Sequence, residues 1–169
     1  MFKVFGAILI IAGSGGFGLL FAYTHKCELR TLDSLLRILE WMINDLRFRL
    51  TPLPTLCRMA SNLGDSTLRP FFLKMEKKLN THDSPDAYSC ACGILDSTGN
   101  ISTETKELLR QLGRSLGQFD TEGQIKCLES VREIANDRKK RMSSDMPQHL
   151  RSYQTLALCA GAALAIILV

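Results

Sequence analysis

The run Leu32-Asp33-Ser34-Leu35-Leu36-Arg37-Ile38-Leu39-Glu40-Trp41-Met42-Ile43-Asn44-Asp45-Leu46-Arg47-Phe48-Arg49-Leu50 carries the main structural signal of this chain. Leu32, Leu35, Leu36, Leu39, Met42, Ile43, Leu46 and Leu50 recur at three- and four-residue intervals. That is the period of one face of an α-helix, not the alternation of a strand. Ile38, Trp41 and Phe48 add a weaker second stripe, read as widening the core contact rather than as a separate binding surface. A stripe this long needs partners to cover it.

Those partners follow downstream. Thr51-Pro52-Leu53-Pro54 starts a second helix: Thr51 can cap it, and both prolines fit a first turn whose N–H groups lack intrahelical acceptors. This helix runs to about Leu63 and is stopped by Gly64. Thr67 caps the next, with Pro70 in its first turn and Phe71, Phe72, Met75 and Leu79 on its apolar side. Ser84-Pro85 opens another, ending near Gly93 or Leu95, and Asp96-Ser97-Thr98-Gly99-Asn100 is a loop by composition. Ser102 or Thr103 then caps a helix that turns Leu108, Leu109, Leu112 and Leu116 inward, with Glu104 near its positive end. Thr121 and Gln124 fit a capping box for the last helix, continued by Ile125, Leu128, Val131, Ile134 and Ala135, with a kink or break at Pro147. No alternating segment is long enough for a sheet. The expected domain is all-α, a compact bundle of about six helices.

Both ends of the chain are apolar. Residues 4–22 and 153–169 contain no charged side chain. Roughly 17–25 apolar residues cross a bilayer as a helix, so each stretch is read as a transmembrane helix flanking the bundle. A cleaved signal peptide is the alternative for the first. The length of the run, Lys3 as the sole preceding base and the lack of an A-x-A-like site favour an anchor. Gly6, Ala12, Gly13, Gly15, Gly16 and Gly18 in the first span, and Ala157, Gly161 and Ala165 in the second, would permit close helix contact in lipid. Lys26, Arg30 and Arg37 follow the first span; Arg132, Arg138, Lys139, Lys140, Arg141 and Arg151 precede the second. The positive-inside rule therefore places the domain of residues 26–146 in the cytoplasm. The net charge of +4 suits proximity to anionic lipid better than nucleic-acid binding.

Catalytic apparatus is hard to find. The 6 cysteines (Cys27, Cys57, Cys90, Cys92, Cys127 and Cys159) fall mostly at apolar helix positions and are read as small buried hydrophobes. Cys90-Ala91-Cys92 lacks the usual metal or redox spacing, and His82 does not repair it. Gly13-Ser14-Gly15-Gly16-Phe17-Gly18 matches a dinucleotide fingerprint but lies inside an apolar span, without the strand that motif requires. Gly113-Arg114-Ser115-Leu116-Gly117 matches a nucleophile elbow, and Asp120 and His149 follow in hydrolase order. An elbow is a strand-to-helix turn, whereas this segment continues a helical pattern. The expectation is a non-enzyme with no cofactor, no metal and no small-molecule substrate.

Leu39-Glu40-Trp41-Met42-Ile43 leading into Thr51-Pro52-Leu53-Pro54, and Leu112-Gly113-Arg114-Ser115-Leu116-Gly117 followed by Asp120, resemble the stage III sporulation protein AB family of endospore-forming bacteria. An anchor at each end fits the same resemblance. Thr55 departs from it, since the family often has an acidic residue there. The resemblance implies a non-enzymatic subunit of the channel between mother cell and forespore, in the mother-cell (outer forespore) membrane. It also implies a helical cytoplasmic platform, akin to those of type II secretion and type IV pilus systems, that contacts an assembly ATPase and other membrane subunits.

On that basis the candidate contact residues are Glu40, Arg47, Arg49, Thr51, Pro52, Leu53, Pro54, Arg114 and Asp120. Gly113 and Gly117 take structural roles, permitting close helix approach or a turn. The alternative for residues 51–54 is that they only end one helix and start the next. The alternatives for the protein are a membrane-anchored serine hydrolase using Ser115, or a generic membrane adaptor.

Overall fold

The structure is a computed structural model that describes the backbone of residues 2–81, 86–99, 101–116 and 120–168, and the side chains of residues 23–81, 86–99, 101–116 and 120–144. Among these residues the chain forms six α-helices and no strand: α1 (Phe2–Phe48), α2 (Leu53–Leu63), α3 (Arg69–Asn80), α4 (Ala87–Asp96), α5 (Thr103–Ser115) and α6 (Thr121–Leu168). The chain divides into two compact units, Met1–Leu29 with Lys140–Val169, and Arg30–Lys139. The first unit is built from the opening part of α1 and the closing part of α6. The stretches expected to span a membrane, residues 4–22 and 153–169, lie outside the described side chains. Among the described residues no helix is long and apolar enough to cross a membrane. Of the kink or break expected at Pro147, the break does not occur: α6 continues through it. A proline removes one backbone hydrogen bond but leaves those of the turns on either side.

In the second unit the long stripe of α1 becomes the core. Leu32, Leu35, Leu39, Met42, Ile43 and Leu46 are buried, and so is Ile38 from the weaker stripe. Leu36 and Trp41 are half-buried, while Phe48 and Leu50 face solvent. Leu50 leaves the stripe because α1 ends at Phe48 and the backbone then turns. Helix α2 returns antiparallel to α1 and packs on α3; α3 packs on α4, and α4 on α5. Leu56, Phe71, Phe72, Met75, Ile94, Leu95, Leu109 and Leu112 complete the apolar interior. Helix α6 runs back along α1, joined to it by Arg47–Glu129 at one level and Lys139–Asp33 at another. Arg138 reaches Glu104 at the start of α5.

Three helix starts, those of α2, α3 and α6, differ from expectation. Pro52, not Thr51, is the N-cap of α2: its ψ of 141° is extended and its carbonyl accepts the Leu56 N–H at 3.0 Å. Thr67 does not cap α3 either: Leu68 is the N-cap, without a side-chain bond, and in the turn before it the Asp65 carboxylate accepts the N–H groups of Thr67 and Leu68 at 3.2 and 2.9 Å. Asp120 replaces Thr121 at α6, with Oδ1 accepting the Gly123 N–H at 3.2 Å and its carbonyl accepting the Gln124 N–H at 2.9 Å. A carboxylate carries the charge that the positive helix end attracts, which a threonine hydroxyl lacks. Asp86 caps α4 by accepting from Ser89 N–H, and the Ser84-Pro85 start expected for it lies outside the described residues. Of the two caps the sequence offered for α5, Ser102 and Thr103, Ser102 takes the role by accepting the Thr105 N–H at 3.2 Å. Gly64 ends α2 at the expected place.

Candidate functional site

At the far end of α1 the chain makes a corner of residues 49–52 before α2 begins. The backbone N–H groups of Arg49 and Leu50 both bond the Asp45 carbonyl, at 2.7 and 3.1 Å, closing the last turn. Leu50 follows with a φ of 53°, in the left-handed region that glycine normally fills. For a leucine that conformation costs roughly 1–2 kcal/mol. Its side chain is 64% exposed and that of Phe48 is 80% exposed, so burial does not offset the strain.

Beside this corner lies an open groove of about 360 Å³. One wall is Leu46, Leu50, Thr51, Leu53 and Leu56, from the α1–α2 junction. The other is Leu116, Thr121 and Gln124, where α5 ends and α6 begins. Residues about 70 positions apart in sequence thus face one another. Of the contact residues expected from the sequence, Thr51 and Leu53 line the groove, Asp120 adjoins Thr121, and Arg49 adjoins Leu50. Pro52 and Pro54 flank Leu53 and fix the entry into α2.

The remaining candidates lie elsewhere. Glu40 is exposed two turns up α1 and has no partner among the described residues. Arg47 is engaged with Glu129 at 3.2 Å. Arg114 places its guanidinium 4.9 Å from the centroid of the Tyr88 ring on α4, a cation–π contact. Gly117 lies outside the described residues. At Gly113 the crossing of α4 and α5 is so close that a Cβ would stand 2.6 Å from that of Ala91.

Ser115 is the last residue of α5, buried, and its hydroxyl donates to the Leu112 carbonyl at 2.7 Å. It sits on a helix with no strand leading into it, and the His149 side chain lies outside the described residues. Burial pushes the Cys57 thiol up to about 12, and the neighbouring Cys90 and Glu76 add to the effect. A thiol so placed stays protonated and is a poor nucleophile or metal ligand. The described cysteines are free, and among the described residues no group of three or more His, Cys, Asp or Glu could hold a metal ion.

Sequence reasoning overlooked two carboxylates. Asp65 binds the α2–α3 turn to α1. Asp45 is buried at 5% exposure in the last turn of α1, and its Oδ2 has no hydrogen-bond partner among the described residues. The available signals were an acid directly after the helix-stopping Gly64, and an acid set between Ile43 and Leu46 of the core stripe.

No curated protein and no solved structure gives a significant match to this chain. The family profile of stage III sporulation protein AB matches residues 3–169, essentially the whole length. It takes in both sequence motifs that meet at the groove and both apolar ends. The chain therefore belongs to the stage III sporulation protein AB family, and it is a sporulation protein.

Proposed function

We propose that this protein is a non-enzymatic membrane subunit of the channel complex between mother cell and forespore, and that its domain of residues 26–146 is a cytoplasmic platform for an assembly ATPase. Residues 4–22 and 153–169 anchor it in the mother-cell membrane and meet other membrane subunits. The charge-free composition of both stretches and the basic residues on the domain side of each support this topology.

The observation that carries the platform reading is the groove. The segment after Leu50 and the segment around Asp120, each singled out by its sequence motif, meet there, beside the exposed side chains of Phe48 and Leu50. Contiguous exposed apolar surface on a helical domain is the usual mark of a protein contact. The hydrolase alternative loses support from Ser115, whose hydroxyl is buried and bonded to its own helix.

The test uses the full chain in lipid nanodiscs, titrated with the assembly ATPase and melted in parallel. Glu40→Lys is the informative variant, because Glu40 is exposed and engages no partner among the described residues. Its stability should change by a few tenths of a kcal/mol, whereas a desolvated interfacial charge pair loses roughly 2–5 kcal/mol. Lost binding with unchanged melting supports the contact. Undiminished binding removes Glu40 from it, and absence of wild-type binding removes the platform role. Arg114→Glu is less clean, since the contact with Tyr88 is itself worth about 0.5–1 kcal/mol.

A further inference from the structure

The positive charge of the domain is unevenly spread. Residues 53–80, which form α2, α3 and the turn between them, hold five bases (Arg58, Arg69, Lys74, Lys77 and Lys78) against two acids (Asp65 and Glu76), so +3 of the chain's +4 lies there. By contrast α6 as far as Lys139 carries four bases and four acids. Burial sharpens the imbalance: Arg58, Arg69, Lys74 and Lys77 are exposed, whereas Asp65 and Glu76 are half-buried. Those four bases form no ion pair among the described residues, while Arg47–Glu129, Arg138–Glu104 and Lys139–Asp33 all join other helices. Single apolar side chains stand out among them. Met59, Leu63 and Leu73 are exposed; Arg58 precedes Met59, Lys74 follows Leu73, and Leu63 and Arg69 stand on either side of the turn.

The place of this face favours lipid over protein as its occupant. Thr31 and Ser34 hold the α2–α3 turn through Asp65 and Leu63. Thr31 comes nine residues after the charge-free stretch of residues 4–22, a reach of at most about 30 Å. Beside it Arg30 is exposed and has no ion pair among the described residues. Lys139, the last residue of the same compact unit, pairs with Asp33 at this end. Both connections to the apolar stretches therefore leave the unit at the end that carries the turn. The acids at positions 83 and 86 follow α3, at its far end from the turn. Tethered within that reach, long basic side chains beside single apolar ones meet a headgroup layer at high effective concentration, and such a contact needs no shaped cavity.

We propose that the exposed side of α2 and α3 docks on an anionic lipid surface. Arg58, Arg69, Lys74 and Lys77 meet headgroup phosphates there, while Leu63 and Leu73 enter the interface between them. The docking rests on the anchoring of residues 4–22 and 153–169 in a membrane, not on the platform role.

The test uses the full chain in nanodiscs, with a photoreactive phenylalanine in place of Leu63, Leu73 or, as the control, the exposed Ile134 of α6. Label transferred to lipid is the readout. With phosphatidylglycerol in the nanodisc, positions 63 and 73 should label lipid about tenfold more than position 134. That excess should vanish in pure phosphatidylcholine, at high salt, and in the combined variant Arg58→Gln, Arg69→Gln, Lys74→Gln, Lys77→Gln. The four side chains are exposed, so the variant should melt as the wild type. If it melts lower, the lipid and salt arms on the unchanged chain decide. Equal labelling at all three positions overturns the docking, as does an excess that ignores lipid charge and salt or that a normally melting combined variant retains. Label on a second copy of this chain, or on added assembly ATPase, in place of lipid also overturns it. If the chain does not float with the nanodiscs, the anchoring fails, and cosedimentation with phosphatidylglycerol vesicles decides the face alone. Salt-sensitive binding that the combined variant loses sustains it; binding that the variant retains, or none, overturns it.

Discussion

The two turns that bound α2 are built on opposite plans. At the α2–α3 turn, one carboxylate organises everything: Asp65 accepts the Thr31 hydroxyl at 2.7 Å and the N–H groups of Thr67 and Leu68. The Asp65 N–H donates to the Ser34 hydroxyl at 2.9 Å, and that hydroxyl donates to the Leu63 carbonyl at 3.3 Å. Thr31 and Ser34 lie one turn apart on α1, so a single helix face grips the whole turn. At the α1–α2 turn a leucine stands where glycine is relaxed, two large apolar side chains face water, and a groove stays open. The first turn uses its polar groups to hold α1 against α2. The second leaves apolar groups unsatisfied at the opposite end of the same helix pair. The contrast shows that exposure at the second turn does not come from a generally loose domain.

Breaking the anchored turn should produce the largest effect. Asp65→Ala removes three accepted hydrogen bonds and leaves a part-buried Thr31 hydroxyl and the turn N–H groups of Thr67 and Leu68 to find other partners. A stability loss of about 2–4 kcal/mol is expected, measured by chemical unfolding of the full chain in detergent. A loss below about 0.5 kcal/mol would mean that the turn is held by apolar packing alone, and the contrast between the two corners would disappear.

A smaller effect tests the tightness of the packed region away from the groove. Gly113→Ala would ordinarily stabilise a helix by about 0.5–1 kcal/mol. Here the new Cβ meets the Ala91 Cβ at 2.6 Å, and neither group can swing away. Overpacking of this kind costs about 1–3 kcal/mol, so a net loss is expected, restored in part when Ala91→Gly is added. Thermal melting of the single and double variants reads both. Stabilisation by the single change would show that α4 and α5 separate readily.

Ser115→Ala should do least. The Leu112 carbonyl that loses the hydroxyl still accepts the Leu116 N–H at 3.2 Å, so the change in stability should stay within about 1 kcal/mol. Sporulation should be unaffected. Failure to sporulate with a stable, normally abundant variant would bring a nucleophilic role for Ser115 back and place chemistry at the edge of the open corner.

Much of this architecture is legible from local pattern. The stripe from Leu32 to Leu46 specifies α1 because period and burial coincide over four turns. Ser102 is found as a cap because it is followed at the right distance by a strong apolar series at Leu108, Leu109 and Leu112. Caps fail where neighbouring oxygens compete. Thr67 and Asp65, or Thr121 and Asp120, are one or two residues apart, and the backbone angles that choose between them are set by tertiary contacts such as Thr31 with Asp65. Periodicity puts Leu50 on the core stripe, yet one left-handed residue after Phe48 turns it outward. The sequence motifs include Thr51, Leu53 and Asp120 but give no sign that the first and fifth inter-helix junctions, α1–α2 and α5–α6, face a common groove, because that meeting depends on how α2 through α5 stack between them.

The left-handed Leu50 has a practical corollary for protein engineering. A redesign ranked by folding stability alone would single out this position early, since glycine or asparagine suits its backbone and the leucine side chain is mostly exposed. Selection for thermal resistance and selection for viable spores should therefore pull the residue in opposite directions. A library scored both ways would separate at position 50, whereas at Asp65 and Gly113 the two scores should fall together.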